Sequence, residues 1–331
     1  MKTTMTIAAF AASLGTTAFA DGHANDVSLQ LQWVTQAQFA GYYVALEKGF
    51  YDDEGLNVTI LPGGPDIAPP QVLAGGGADI MLNWMPSALA AREKGLPVVN
   101  IAQPFTSSGL MLTCWKDTGI ETVEDFRGKT IGVWFFGNEY PFLSWMSQVG
   151  IGTEGGDDGV TVLKQGFNVD PLLNREADCI STMTYNEYGQ VLDAGVNPDE
   201  LITFKYEDQG VATLEDGIWA LEENLDDPVF VDKMVRFVRA SMAGWRYAEA
   251  NVDEAAAIII EYDETGAQSE AAQARMMGEI AKLTAGSTGA LDIEAYERTV
   301  ATLLAGGSDP VISMAPEGAY TTVITDAALM E

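Results

Sequence analysis

Residues 28–61 read SLQLQWVTQAQFAGYYVALEKGFYDDEGLNVTIL and combine two predicted strands with one predicted helix. Apolar and polar residues alternate over 28–34, which is typical of a half-buried strand. A helix is predicted over 40–48, where Gly49 ends it, and 57–61 form the next apolar strand. Strands that alternate with helices in this way predict a mostly parallel sheet covered by helices.

The same alternation continues along most of the chain. Further strands are predicted at 79–82, 98–102, 110–115, 130–135, 161–163, 179–183, 201–205 and 217–221. Helices between the strands are predicted at 68–74, 86–94, 140–149, 171–175 and 187–193. After residue 226 the pattern predicts helices only, at 228–250, 252–261, 270–283 and 293–304. We expect these closing helices to pack on the first part of the fold.

We interpret this pattern as two α/β lobes. The first lobe is predicted to combine 27–107 with 213–331, and the second to cover 108–212. The chain would cross between the lobes twice, near 106–109 and near 208–212, and these crossings are the predicted hinges.

The first twenty residues, MKTTMTIAAFAASLGTTAFA, have the features of a secretory signal peptide. Lys2 gives a positive start, an apolar stretch covers 7–14, and 18–20 (AFA) form a small-x-small cleavage site. The alternative is a buried N-terminal helix, and the stretch is too short and too weakly apolar for a membrane span. We therefore predict a periplasmic protein that is cleaved after Ala20.

The charge balance and the residue counts exclude several function classes. The chain has 17 Lys and Arg residues against 48 Asp and Glu residues, a net charge of −31, so it is a poor partner for nucleic acid. Its only His is His23, close to the N-terminus, which leaves no histidine base and no histidine metal ligand for the core. We predict a monomeric binding protein, not an enzyme, with no metal and no cofactor.

The two cysteines, Cys114 and Cys179, allow two interpretations. Both lie in apolar runs, LMLTCW and ADCISTM. In an oxidising compartment they could form a disulfide, and as unpaired buried thiols they would behave as small apolar residues. The residues alone leave both alternatives open.

Ligands of open α/β sheets bind beyond the carboxyl ends of the strands, where helix N-termini expose unpaired N–H groups. Four predicted strands are followed by aromatic side chains together with amides or carboxylates, a composition that suits a planar heteroaromatic ligand. These candidate ligand-binding residues are Trp33, Gln36, Gln38, Phe39, Tyr42, Asn83, Trp84, Met85, Phe136, Asn138, Glu139, Tyr185, Asn186 and Glu187. Taken singly, each aromatic residue could instead belong to the core, and Glu139 and Glu187 could be ordinary first-turn acids that favour the helix dipole.

None of these four segments contains Lys or Arg. Sites for nitrate, sulfonate or phosphate commonly use Arg or Lys besides helix N-termini, although backbone amides alone can bind anions. The absence therefore favours a neutral or weakly cationic ligand. Glu187 would accept a hydrogen bond from the amino group of an aminopyrimidine, and its burial would require a donor beside it.

Four stretches of the chain resemble a known family of binding proteins. They are FAGYYVALEKGFYDDEGLNV at 39–58, GGGAD at 75–79, VEDFRGKTIGV at 123–133 and YNE at 185–187. The family is that of the periplasmic substrate-binding proteins of ABC importers whose domain is named for fungal thiamine-pyrimidine synthesis. The resemblance implies the type II periplasmic binding protein fold, with the ligand between two lobes and a membrane permease as partner.

The resemblance also suggests a ligand class. Family members bind formylaminopyrimidine, hydroxymethylpyrimidine, riboflavin, sulfonates, taurine, nitrate or bicarbonate. Asn186 and Glu187 match the position of a ligand-reading acid in pyrimidine binders. In contrast, 35–39 (TQAQF) lacks their Asn-rich loop with a His, and 38–41 (QFAG) is similar to riboflavin binders. The related synthases carry a histidine and a Cys-rich motif that this chain lacks.

We predict capture of a small heteroaromatic compound like a thiamine-pyrimidine precursor. Riboflavin or another heterocycle, and a small anion such as a sulfonate or nitrate, are the alternatives. A pyrimidine synthase is less favoured.

Overall fold

The computed structural model describes residues 25–135, 137–306 and 310–330. The predicted signal peptide and the candidate Phe136 lie outside the described residues. Within the described ranges, no helix combines the length and the apolar character needed to cross a membrane.

The strands of the described residues follow the predicted alternation. They are β1 (Asp26–Gln30), β2 (Asn57–Leu61), β3 (Ile80–Asn83), β4 (Val98–Ala102), β5 (Leu110–Trp115), β6 (Thr130–Val133), β7 (Thr161–Lys164), β8 (Cys179–Met183), β9 (Leu201–Lys205) and β10 (Gly217–Leu221). β1 is shorter than the predicted 28–34. Beyond β1, two backbone hydrogen bonds still join this segment to the chain after β2, from the Leu31 N–H to the carbonyl of Leu61 and from the Gly63 N–H to the carbonyl of Trp33.

These strands form two five-stranded sheets. The first sheet has the order β2-β1-β3-β10-β4 and the second β7-β6-β8-β5-β9. β1 is parallel to β2 and β3, whereas β10 is antiparallel to both of its neighbours. In the second sheet, β6 is parallel to β7 and β8, and β5 is antiparallel to β8 and β9.

The prediction of a mostly parallel sheet is therefore wrong for part of each sheet. The chain enters β5 from the first sheet and enters β10 from the second sheet. Neither strand follows a crossover helix that starts from its own sheet. A strand that arrives in this way is free of the right-handed crossover that imposes parallel pairing. The two crossings lie between β4 and β5 and between β9 and β10. The exact lobe boundaries and hinge positions remain predictions.

Helices cover both sheets. They are α1 (Ala40–Glu47), α2 (Phe50–Asp53), α3 (Pro69–Ala74), α4 (Met85–Glu93), α5 (Tyr140–Gln148), α6 (Asp170–Leu173), α7 (Glu187–Asp193), α8 (Pro228–Ala250), α9 (Val252–Tyr262), α10 (Glu270–Thr284), α11 (Ile293–Leu304) and α12 (Val323–Leu329). α8 packs along α1 and α12, as expected for helices that cover the first sheet. The expectation that all closing helices pack on the first part of the fold is only partly right. α11 contacts α4 but also α5, which follows β6 of the second sheet.

The structure resolves the two interpretations of the cysteines. Cys114 on β5 and Cys179 on β8 lie opposite each other in the antiparallel pair and form a disulfide. Both side chains are fully buried. The bond therefore joins two central strands of the second sheet inside its core.

Candidate functional site

A cavity of about 680 Å³ lies where β1, β3, β6 and β8 end, and residues from both sheets line it. This volume is in the range of pockets that hold drug-sized ligands. Ten of the predicted site residues line this cavity, namely Trp33, Gln36, Gln38, Asn83, Trp84, Asn138, Glu139, Tyr185, Asn186 and Glu187.

Three predicted site residues do not line the cavity. Phe39 and Met85 are fully buried, and Tyr42, on α1, stacks on Phe237 and meets the edge of Trp245 in the core. Their strand-end position was right, but each of these chain segments turns into a helix that points the side chain toward the core. The position after a strand predicts proximity to the cavity and does not determine the direction of a side chain.

Aromatic side chains form much of the cavity wall. Trp84 and Tyr185 are 6% and 3% exposed. Trp33 and Phe167 also line the wall and contact each other, with ring centroids 4.4 Å apart. Phe167 was missed because it follows β7, a short strand whose end carried no other candidate residue. Flat apolar walls of this kind suit the faces of a heteroaromatic ring.

Two glycines allow close approaches at this site. Any Cβ on Gly109, in the crossing between the sheets, would lie 2.9 Å from the ring of Tyr185. Gly137 has φ +103°, and a Cβ there would lie 3.0 Å from the side chain of Ser87 on α4. The loop after β6 and the helix after β3 therefore meet directly at the cavity.

Glu187 is the first residue of α7 and is 7% exposed. Its carboxylate accepts a hydrogen bond from the backbone N–H of Met183 at 3.0 Å and one from the Asn186 side chain at 2.8 Å. Burial raises the pKa of Glu187 to about 7, although both hydrogen bonds lower it. The donor that the sequence analysis required beside a buried Glu187 is therefore present.

Sequence reasoning missed a pair of buried acids directly before β10. Glu215 accepts hydrogen bonds from the Ser108 hydroxyl at 2.6 Å and from the N–H groups of Gly109 and Leu110 at 2.8 and 3.2 Å. Burial, together with the neighbouring Asp216, raises the pKa of Glu215 to about 8. Glu215 thus ties the second crossing of the chain to the first. The available signal was two acids inside the apolar run VATLEDGIWAL.

Asp216 lies behind the cavity wall and is fully buried. Gln38 Nε2 donates to one carboxylate oxygen at 2.6 Å, and Gln32 Nε2 donates to the other. Burial raises the pKa of Asp216 to about 7, and the hydrogen bond from Gln38 opposes that shift. The Trp84 indole N–H also lowers this pKa, but it lies outside hydrogen-bond geometry.

The cavity is acidic. Three of its lining residues are acids, Asp66, Glu139 and Glu187, whereas Lys94 is the only basic one among the described residues. Lys94 is an exposed side chain at the end of α4 and was not expected at this site. Among the residues that the structure describes, no group of His, Cys, Asp and Glu side chains is arranged to hold a metal ion.

Outside this cavity, an ion pair joins α10 to α7, the helix that follows β8 of the second sheet. The Arg275 guanidinium on α10 donates to both carboxylate oxygens of Asp193 on α7, at 3.0 and 2.6 Å. Both side chains are well exposed. They border a smaller cavity of about 230 Å³, which shares Tyr185 and Asn186 with the main one.

The family model described as "NMT1/THI5 like" matches residues 36–255, which include all ten of these lining residues except Trp33. The chain belongs to the NMT1/THI5-like family. The matched region runs from residue 36, shortly after β1, into α9, and it contains most of the segments that line the cavity. The resemblance seen in the sequence is thereby confirmed.

Two relatives of this NMT1/THI5-like protein carry names of binding proteins. The formylaminopyrimidine-binding protein of Halalkalibacterium halodurans is 26% identical over 259 residues, which cover 76% of this chain and 75% of that protein. The riboflavin-binding protein RibY of Chloroflexus aurantiacus is 27% identical over 244 residues, which cover 71% of this chain and 66% of that protein.

Solved structures establish the fold of the NMT1/THI5-like chain. The putative periplasmic sulfonate-binding protein SsuA of Methylobacillus flagellatus superposes with a TM-score of 0.64 at 16% identity, covering 92% of this chain and 93% of that one. At this identity the likeness concerns the fold alone. The chain thus has the α/β, two-lobed type II periplasmic binding protein fold predicted from the sequence.

Proposed function

We propose that the protein is the periplasmic solute-binding component of an ABC importer and captures a small heteroaromatic compound like a thiamine-pyrimidine precursor. One observation carries this proposal: Trp84, Tyr185 and the buried Glu187 line the same cavity. Aromatic walls accept the faces of a ring, and a carboxylate accepts hydrogen bonds from its amino group or from a protonated ring nitrogen.

The charges of the cavity support a neutral or weakly cationic ligand. An anion would face Glu139 and Glu187 and could reach only Lys94 as a basic partner among the described lining residues. Like charges at close range in a partly desolvated site cost free energy, so a sulfonate or nitrate fits this cavity less well. The name of the formylaminopyrimidine-binding relative supports the same ligand class.

The size of the cavity favours a second candidate. A cavity of about 680 Å³ has room for a ligand larger than one pyrimidine ring, and a riboflavin-like heterocycle would use the same aromatic walls. The RibY relative supports this candidate by its name. An enzymatic role is disfavoured because both cysteines form the disulfide and the only histidine is His23.

A ligand panel tests the proposal. Thermal unfolding of the mature protein would be followed with 4-amino-5-hydroxymethyl-2-methylpyrimidine, formylaminopyrimidine, riboflavin, taurine and nitrate, because a ligand of the folded state raises the melting temperature. We expect one of the heterocycles to raise it and the anions to have no effect. Stabilisation by taurine or nitrate alone would contradict the proposal.

A matched pair of variants tests the role of Glu187. Glu187→Gln is expected to lower the affinity for the aminopyrimidine roughly 10–100-fold, the loss of one charge-assisted hydrogen bond. Glu270→Gln is the control, because Glu270 is also the first residue of a helix but is exposed on α10. Equal affinities of the two variants in titration calorimetry would exclude Glu187 from recognition.

The permease partner, the monomeric state and the periplasmic location form part of this proposal. The family supports the permease partner, and the family and the predicted signal peptide support the location. Mass spectrometry of the protein purified from a periplasmic extract tests the location, with an expected N-terminus at Asp21. An intact mass that includes residues 1–20 would contradict it.

A further inference from the structure

Three glutamine side chains on the cavity wall form a directed chain of hydrogen bonds that begins at Asp216. Gln32 and Gln38 donate their amide N–H groups to the two oxygens of the Asp216 carboxylate. Gln36 Nε2 in turn donates to Gln38 Oε1 at 2.6 Å. Asp216 itself does not line the cavity, but all three glutamines do.

The chain of hydrogen bonds fixes the orientation of each amide. An ionised carboxylate only accepts hydrogen bonds, so it can hold Gln32 and Gln38 only by their nitrogen ends. The oxygen of Gln38 must then receive a donor, and Gln36 supplies it. The oxygens of Gln32 and Gln36 accept no hydrogen bond from any of the described residues. They are the free ends of the network.

Another amide on the wall is oriented in the same sense. Asn138 Nδ2 donates to the carbonyl oxygen of Phe135 at 2.9 Å. Asn186 Nδ2 donates to Glu187, but the Asn186 oxygen already accepts from Gln190 Nε2 at 3.0 Å. Both partners accept from these amides. Together with the carboxylates of the cavity, the oxygens of Gln32, Gln36 and Asn138 make hydrogen-bond acceptors predominate on the wall.

The backbone at Asp216 supports a functional reason for this residue. Its φ is +24°, in a region that residues other than glycine rarely adopt, and its carboxylate is fully buried. Both features oppose folding, and strained residues of this kind concentrate at functional sites. A glycine at this position would relieve both, so packing alone does not account for an acid here.

We propose that Asp216 is a positioning residue that determines specificity, because it holds Gln32 and Gln38 by their nitrogen ends and so makes the wall accept hydrogen bonds. The site then selects ligands that donate from an amino group at this place. Ligands of similar shape that present an oxygen at the same place are rejected. This inference rests on the proposed function and deepens it.

The test compares two ligands of nearly equal shape in the wild type and in Asp216→Asn. They are 4-amino-5-hydroxymethyl-2-methylpyrimidine and its 4-oxo analogue, titrated at pH 8.5, where the Asp216 carboxyl with its pKa of about 7 is ionised. We expect the wild type to prefer the amino compound at least tenfold, as one mispaired hydrogen bond would give. Because Asn can donate as well as accept, Gln38 can reverse in the variant, and the preference should fall below threefold.

Glu215→Gln is the matched control, since Glu215 is the neighbouring buried acid and does not contact the glutamines. It should retain the preference, even if both affinities change. A loss of affinity in Asp216→Asn that is equal for both ligands would overturn the proposal and leave the proposed function standing. Failure of the wild type to bind either ligand or riboflavin would instead overturn the proposed function.

A second variant keeps the proposal testable if Asp216→Asn does not fold. Gln38→Met removes the link between Asp216 and Gln36 without leaving a new charge in the wall. Its thermal unfolding would first be checked against that of the wild type. We expect it to lose the preference for the amino compound as well, and retention of the full tenfold preference would overturn the proposal.

Discussion

Replacing Glu187 by glutamine should remove its share of the pH dependence of stability, to which the buried Glu215 and Asp216 also contribute. Burial raises the pKa of Glu187 from 4.5 to about 7. Between these pH values the folded protein holds a proton that the unfolded chain has released, so the free energy of unfolding falls as the pH rises. With about 1.4 kcal/mol for each pH unit, the contribution of Glu187 amounts to about 3 kcal/mol.

The size of the effect depends on the pH of measurement. At pH 4.5 the protonated carboxyl and the amide of Glu187→Gln are both neutral and have nearly the same shape, so the two proteins should differ little. At pH 8 the wild type must keep a buried carboxylate, whereas the variant has none. We expect the variant to gain about 3 kcal/mol relative to the wild type between these two pH values.

Urea unfolding without ligand, followed by tryptophan fluorescence at half-unit steps from pH 4.5 to 8, measures this difference. Asn138→Ala serves as a control because it changes the same cavity without removing a titratable group. It should keep the slope of the wild type. An equal slope in Glu187→Gln and the wild type would refute the reasoning, because Glu187 would then be ionised in the folded protein at pH 5.

Two further predictions concern stability and binding. Replacing Cys114 and Cys179 together by alanine should lower the free energy of unfolding in urea by about 2–4 kcal/mol. The reason is that the disulfide closes a loop with a sequence separation of 65. A loss below about 0.5 kcal/mol would contradict this prediction. Gly109→Ala should displace the Tyr185 ring and lower both stability, by about 1–3 kcal/mol, and ligand affinity. Gly278 lies within α10 and has open space around it, so Gly278→Ala should instead stabilise the protein by up to about 1 kcal/mol. If Gly109→Ala melted at a higher temperature than Gly278→Ala, the packing argument would be refuted.

Most of the secondary structure could be predicted because its signals are local. α8 was predicted at 228–250 and spans Pro228–Ala250, since Asp227 caps it and a proline occupies its first turn. The direction of β5 and β10 could not be predicted, because it depends on how the chain crosses between two sheets. A local window contains no information about that crossing.

The site shows the same division between local and distant information. Trp84 and Tyr185 were found because they directly follow strands. Tyr42 was assigned to the site by the same rule and was misplaced, because the rotation of α1 against α8 decides where its ring points. Asp216 was missed because its burial arises from residues more than 170 positions away along the chain, Gln38 among them.

The Arg275–Asp193 pair makes the contact between α10 and α7 sensitive to the salt concentration. This ion pair joins α10 to α7 at the surface. Exposed ion pairs stabilise a contact by about 0.2–1 kcal/mol at most. Dissolved ions weaken such a pair, since charges are screened over about 8 Å at 0.15 M salt. The strength of this contact between α7 and α10 should therefore fall as the salt concentration rises.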